Sequence, residues 1–130
     1  MDGPEPPCPF GVAVVAACGL DAPGLADTLE RVLLRLTSRH RHRPIAVTTV
    51  MFQALSHAAG EACRRRGWIE NWAIPHPHGP RDAAVLRESV ALAATAEAVV
   101  ILTADAMPYS TRRLVALCVW LGTPHRVVRV

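Results

Sequence analysis

Lysine is missing from this chain of 130 residues, in which all 14 basic residues are arginine. Such a skew follows from a GC-rich coding sequence, since arginine codons are GC-rich. Aromatic residues are scarce at 5%, which leaves little to stack bases on. A formal net charge of +3 is weak for a nucleic-acid binder, and nucleic acid is not the expected partner. The four cysteines, Cys8, Cys18, Cys63 and Cys118, include no pair close enough for CxxC metal or redox chemistry. Cys18 and Cys118 sit in apolar runs and read as small buried hydrophobes, so a reducing cytoplasm without disulfides is expected. No apolar run approaches the roughly 18 residues that cross a membrane. The first residues, Met1-Asp2-Gly3-Pro4-Glu5-Pro6-Pro7, carry no basic n-region, so no secretory signal is expected. Residues 1–9 read as a short flexible arm.

What is present is a core. Hydrophobic residues make up 51% of the chain, and its length predicts one domain, residues 10–130. Gly11 to Ala17 is a continuous apolar run, as in a strand covered on both faces. Gly19 to Pro23 is a turn, with Asp21 or Ala22 as cap and Pro23 in the first helical turn. Leu25, Leu29, Val32, Leu33 and Leu36 recur at helical spacing, and this helix is expected to end near Arg39. Ile45 to Thr49 is a second strand, followed by a helix from Phe52 to Arg66 that stops at Gly67. A third strand lies near Trp68 to Ile74, and Pro75 to Pro80 is a loop. A helix over Arg81 to Ala96, a strand over Ala98 to Leu102, a helix over Ser110 to Leu121 and a strand over Val127 to Val130 complete the pattern. Strict alternation implies right-handed crossovers and a Rossmann-like α/β domain, with a five-stranded, mostly parallel sheet of order 3-2-1-4-5. A ligand then belongs beyond the C-terminal ends of strands one and four, where the strand order reverses.

Three elements fall at that edge: Cys18-Gly19-Leu20-Asp21, Gly79-Pro80-Arg81-Asp82 and Tyr109-Ser110-Thr111-Arg112-Arg113. In this order they resemble the SLOG superfamily of Rossmannoid nucleotide binders, which includes the Lonely Guy phosphoribohydrolases and the DprA-like proteins. The likeness is nearest to the small YspA-like branch. It spans roughly Phe10 to Val130 and implies a ligand site of Gly19, Asp21, Thr49, Gly79, Arg81, Ser110, Thr111, Arg112 and Arg113. Two departures qualify what it implies. Thr48-Thr49-Val50-Met51 stands where family members often carry a Gly-Gly pair, so side chains hinder close approach of backbone to phosphate. The glutamate that follows the threonine turn in the phosphoribohydrolases is also missing, because Arg112 to Leu117 includes no carboxylate. Whether the chain is an enzyme, and through which catalytic residue, stays open.

The residues have plainer readings as well. Ser110 and Thr111 can bind phosphate or cap a helix. Arg112 and Arg113 stand where the helix dipole disfavours cations, which invites an anionic partner, although Asp105 is near in sequence. Arg81 either reaches over the crevice or pairs with Asp82 or Glu88, and Asp82 reads first as a cap. His40, His42, His76 and His78 lack the ligand pattern of a zinc site, so neither a metal nor a cofactor is expected. Glu70 reads as a solvated strand position. The basic clusters Arg39 to Arg43 and Arg64 to Arg66 suit helix C-termini. Trp68, Trp72 and Trp120 read as core or interface residues, and aliphatic helix faces point to a homodimer. The preferred function is binding of a nucleotide or nucleotide-derived small molecule. The alternatives are a degenerate family member acting as a structural or interaction module, and a divergent nucleotide N-glycosidase.

Overall fold

The computed structural model describes residues 8–16, 24–50, 54–74, 81–103, 107 and 109–130, with the backbone alone at 81–83 and 85. The chain alternates β1 (Phe10–Ala16), α1 (Leu25–Leu36), β2 (Ile45–Val50), α2 (Ala54–Arg66), β3 (Ile69–Ala73), α3 (Arg81–Thr95), β4 (Ala98–Thr103), α4 (Tyr109–Leu121) and β5 (His125–Arg129). The five strands form one parallel sheet of order β3-β2-β1-β4-β5. Val12 pairs with Ala98 and Ala16 with Leu102, so the strand order reverses between β1 and β4.

Both faces of the sheet are covered. Val12, Val14 and Ala16 of β1 and Val100 and Leu102 of β4 pack with Leu25, Leu29 and Leu33 of α1 and with Leu55, Ala59, Ala62 and Cys63 of α2. The alternate residues Ala13, Val15, Val99 and Ile101 pack with Ala93 of α3 and Leu114 and Cys118 of α4. This two-sided burial is why β1 and β4 read as continuous apolar runs rather than alternating ones.

Element ends differ from the sequence reading for local reasons. Helix α1 starts at Leu25 behind Gly24, whose φ of 70° is left-handed, so Pro23 precedes the helix instead of opening it. Asp21 and Ala22, expected as caps, lie outside the described residues. The same helix stops at Thr37 rather than near Arg39. The Thr37 hydroxyl and N–H both donate to the Leu33 carbonyl, and a 3-10 turn over Ser38–His40 follows. Gly67, at φ 69°, ends α2 as expected for a C-cap glycine.

Members of both basic clusters pair with carboxylates on the surface of the fold. Arg65 pairs with Asp27 and Glu30 of α1 and with Glu61, and Arg66 pairs with Glu30. The Arg66 guanidinium, with Arg65, holds the Glu30 carboxyl below its ordinary range. At the N-terminal edge of the sheet, Arg43 donates to the carbonyls of Cys8 and Pro9 and to both oxygens of Glu97. Glu97 also accepts the Gly11 N–H at 2.9 Å. This clamp ties the start of β1 to the segments that lead into β2 and β4.

Glu70 is not a solvated strand position. Its side chain is 22% exposed, lies within 3.7 Å of Arg64 and accepts the indole N–H of Trp72. Its carboxylate occupies the space where a Cβ on Gly60 would project.

Two outcomes follow from this packing. Leu33 is fully buried between α1 and the sheet, so Leu33→Ala should lower unfolding free energy by about 2–5 kcal/mol. Replacing exposed Arg31 on the same helix should change it by no more than about 0.5 kcal/mol. Urea titration distinguishes the two, and equal losses would refute the packing argument. The second outcome concerns pH. Arg43 and the Gly11 N–H hold the Glu97 carboxyl below its ordinary range. A depressed carboxyl stabilises the fold above its unfolded value and stops doing so as pH falls through its folded value. Glu97→Gln should therefore lower Tm at pH 7, and the gap from wild type should close below about pH 4. A pH-independent gap in thermal melts would show that the charge is not what matters.

Candidate functional site

All four helices run back from the C-terminal edge of the sheet, so their N-termini and the ends of β1 and β4 share that edge. At the reversal point the chain presents hydroxyls. Thr103 ends β4 at 1% exposure. By strand alternation its side chain lies on the side of Val99 and Ile101, toward α3 and α4. Its Oγ1 is buried with no hydrogen-bond partner among the described residues. Ser89 of α3, also 1% exposed, donates to the carbonyl of Ala16, the last residue of β1. Thr111, in the first turn of α4, is buried on the inward side of that helix with Leu114. A first helical turn has N–H groups without intrahelical partners, and the first turn of α4 follows Thr103 at this edge of the sheet.

The expected site residues separate into groups. Gly19, Asp21 and Gly79 lie outside the described residues, and Arg81 opens α3 with its backbone alone described. Ser110 is half-buried and Thr111 buried, both in the first turn of α4. Arg112 and Arg113 belong to the same helix but to its exposed side. Thr49 is buried near the end of β2, on the face it shares with Ile45 and Val47 under α1 and α2. That is the opposite face of the sheet from Thr103 and Thr111. Thr103 is not among the residues the sequence points to, because the apolar run ends at Leu102, whereas β4 runs one residue further. A polar residue closing an apolar strand at the reversal point was the available signal.

The chemistry of these groups is that of binding. Among the described residues, the buried polar side chains are Thr37, Thr49, Ser56, Ser89, Thr103 and Thr111, every one a hydroxyl. Hydroxyls and helix N–H groups suit phosphate and sugar oxygens, whereas acid–base or nucleophilic work asks for a positioned carboxylate, histidine or thiolate. The buried thiols do not meet that need. Burial pushes Cys63 up to about 11, with Glu70 adding to the shift, and burial also raises Cys118. No cluster of three metal-ligating side chains occurs among the described residues.

An open groove of about 380 Å³ lies elsewhere, between α1 and α2, lined by residues including Asp27, His57, Glu61 and Arg65. Its arginine already pairs with both acids, so it offers an incoming ligand little that is unspent. The unpartnered group at the reversal point is buried, whereas His57 of this groove is exposed to solvent.

No family model, curated protein or solved structure matches the chain.

A buried hydroxyl without a partner costs on the order of 1–3 kcal/mol. Thr103→Val keeps the shape and removes that group, so it should raise ligand-free stability by about 1 kcal/mol. Denaturant unfolding measures this, and a loss of stability instead would show that the hydroxyl is bonded in the native protein.

Proposed function

We propose that the protein binds a nucleotide or a nucleotide-derived small molecule at the C-terminal edge of its sheet, in the manner its SLOG-like motifs imply. The observation that carries this reading is the buried, unpartnered Thr103 hydroxyl at the point where the strand order reverses. An orphaned donor there is a standing cost that a ligand oxygen would remove. A phosphate would sit over the first turn of α4, taking its free N–H groups and the hydroxyls of Ser110 and Thr111. Arg112 makes no ion pair among the described residues and would reach over the turn with a fork-shaped cation. In this reading the protein works in the cytoplasm as a homodimer, on a small molecule rather than on nucleic acid. The pairing of Arg65 and Arg66 with acids supports the last point, since those cations are not displayed for a phosphate backbone.

The buried hydroxyls favour binding over glycosidic cleavage, which asks for paired carboxylates. A second reading, an interaction module that works through its surfaces alone, is favoured by one observation: Trp120 on α4 is 83% exposed.

A thermal-shift screen against nucleoside mono-, di- and triphosphates distinguishes the two. A ligand at a hundred times its Kd adds about 2.7 kcal/mol to native stability. Thr103→Val should abolish that shift while raising the ligand-free melting point. Arg112→Ala should weaken calorimetric binding at least tenfold, because a charge-assisted hydrogen bond contributes about 1.5–3 kcal/mol. A panel with no shift would transfer the assignment to the interaction module, and a shift that survives Thr103→Val would refute Thr103 as part of the site.

A further inference from the structure

Helix α4 has an outward side unlike that of the other described helices. It consists of Tyr109, Arg112, Arg113, Ala116, Val119 and Trp120, all exposed, while Thr111, Leu114 and Cys118 face the sheet. Tyr109, Arg113, Ala116 and Trp120 follow at steps of four, three and four, which sets them in one line along the helix. Tyr109 is 70% and Trp120 83% exposed. The face carries no acid, and its arginines have no ion pair among the described residues. By contrast, α1 and α2 turn a network of arginine–carboxylate pairs to solvent. Tryptophan, tyrosine and arginine without carboxylates is the composition of an interface centre, not of a solvated helix.

We propose that this face is a two-fold homodimer interface in which α4 packs antiparallel against α4 of a second copy, with Ala116 on the axis. The inference shares the homodimer with the functional reading above but needs no ligand, so the two can fail separately. Ala116 sits at the middle of the line and allows the helix axes to approach to about 8–10 Å. At about 1.5 Å of rise per residue, Arg113 lies roughly 4.5 Å to one side of that axis. The two-fold rotation brings Trp120 of the partner subunit to roughly 6 Å on the same side, on the same edge of the helix. Each guanidinium thus covers an indole face, an arrangement attractive for a cation on a ring. The two copies of Arg113 stay about 9 Å apart along the helices, each beside the partner's indole rather than beside the other cation.

This complementarity is what selects a second copy as the occupant. The face holds both halves of the pair, cation and ring, at positions that a two-fold exchanges, as an isologous contact requires. An acidic partner would satisfy the arginines and leave the line of Tyr109, Ala116 and Trp120 unexplained. Arg112 falls on the flank with Val119 and remains available to the crevice.

Sedimentation equilibrium at tens of micromolar should give twice the chain mass of 14.0 kDa. Trp120→Ala should raise the dimer dissociation constant at least tenfold, and Arg113→Ala should raise it in the same direction. Trp120 is exposed in the single chain, so the variant should keep its far-UV spectrum and its low-concentration unfolding midpoint. Register is tested by Ala116→Cys in a chain with Cys8 and Cys18 replaced by serine. A residue on the axis meets its own twin, so mild oxidation should cross-link this variant, whereas Ala94→Cys on exposed α3 should stay monomeric on a denaturing gel. Monomer mass at every concentration would overturn the proposal. So would a dimer indifferent to Trp120→Ala, or one that Ala116→Cys fails to cross-link. Arg112→Ala should leave the mass unchanged and affect only ligand titrations, which separates a failed interface from a failed ligand reading.

Discussion

Two-sided burial of β1 and β4 is the constraint on which the other parts depend. Every residue of β4 is buried, and β1 is nearly so. A strand with no solvated face cannot alternate polar and apolar residues, and it needs a helical layer on each side. α1 and α2 supply one layer, α3 and α4 the other. The right-handed crossover rule turns that requirement into the order 3-2-1-4-5, because two units wind outward from β1 in each direction. The reversal point is therefore not an added feature. It is where two windings that share central strands have to part, and it leaves a cleft at one edge only.

The two edges of the sheet have opposite characters. At the N-terminal edge, polar groups are matched: Glu97 meets Arg43 and the Gly11 N–H, and Arg43 meets two carbonyls. At the C-terminal edge, the buried Thr103 hydroxyl is left without a partner among the described residues. A chain that satisfies its polar groups at one end and leaves one orphaned at the other has local stability and local reactivity in different places. The orphan is the least expected observation in the structure, since native interiors rarely keep such a group without a use.

The legible part of the fold is the part written in patterns of several residues. The runs at Val12 to Ala16 and Val99 to Leu102, and the leucine spacing of α1, each repeat one physical demand, so errors at single positions do not matter. What was not legible rests on one side chain meeting another that is distant in sequence. Arg65 looked like a helix-end cation until α1 brought Asp27 and Glu30 beside it. Glu70 looked solvated until α2, with glycine at position 60, left room for its carboxylate. The start of α1 turned on the left-handed backbone of Gly24, which a nearby proline and aspartate obscured. In the candidate site, the threonine turn was visible as a motif, but the split between inward Thr111 and outward Arg112 and Arg113 needed the helix phase. Thr103 needed the true end of β4.

The register of the central strands also bears on how the chain emerges from the ribosome. Gly11 and Glu97, which hydrogen-bond across the start of β1 and β4, are 86 positions apart. At about 5–20 residues per second, β1 waits on the order of 4–17 s for its second neighbour after it has been made. β2 arrives far sooner, so the nascent intermediate is a two- or three-stranded sheet whose most apolar strand has one bare edge. An unguarded edge of that kind is a template for pairing between chains. The topology that creates the cleft thus also creates the interval in which this protein is most exposed to co-translational aggregation, and most in need of a chaperone that shields a strand edge.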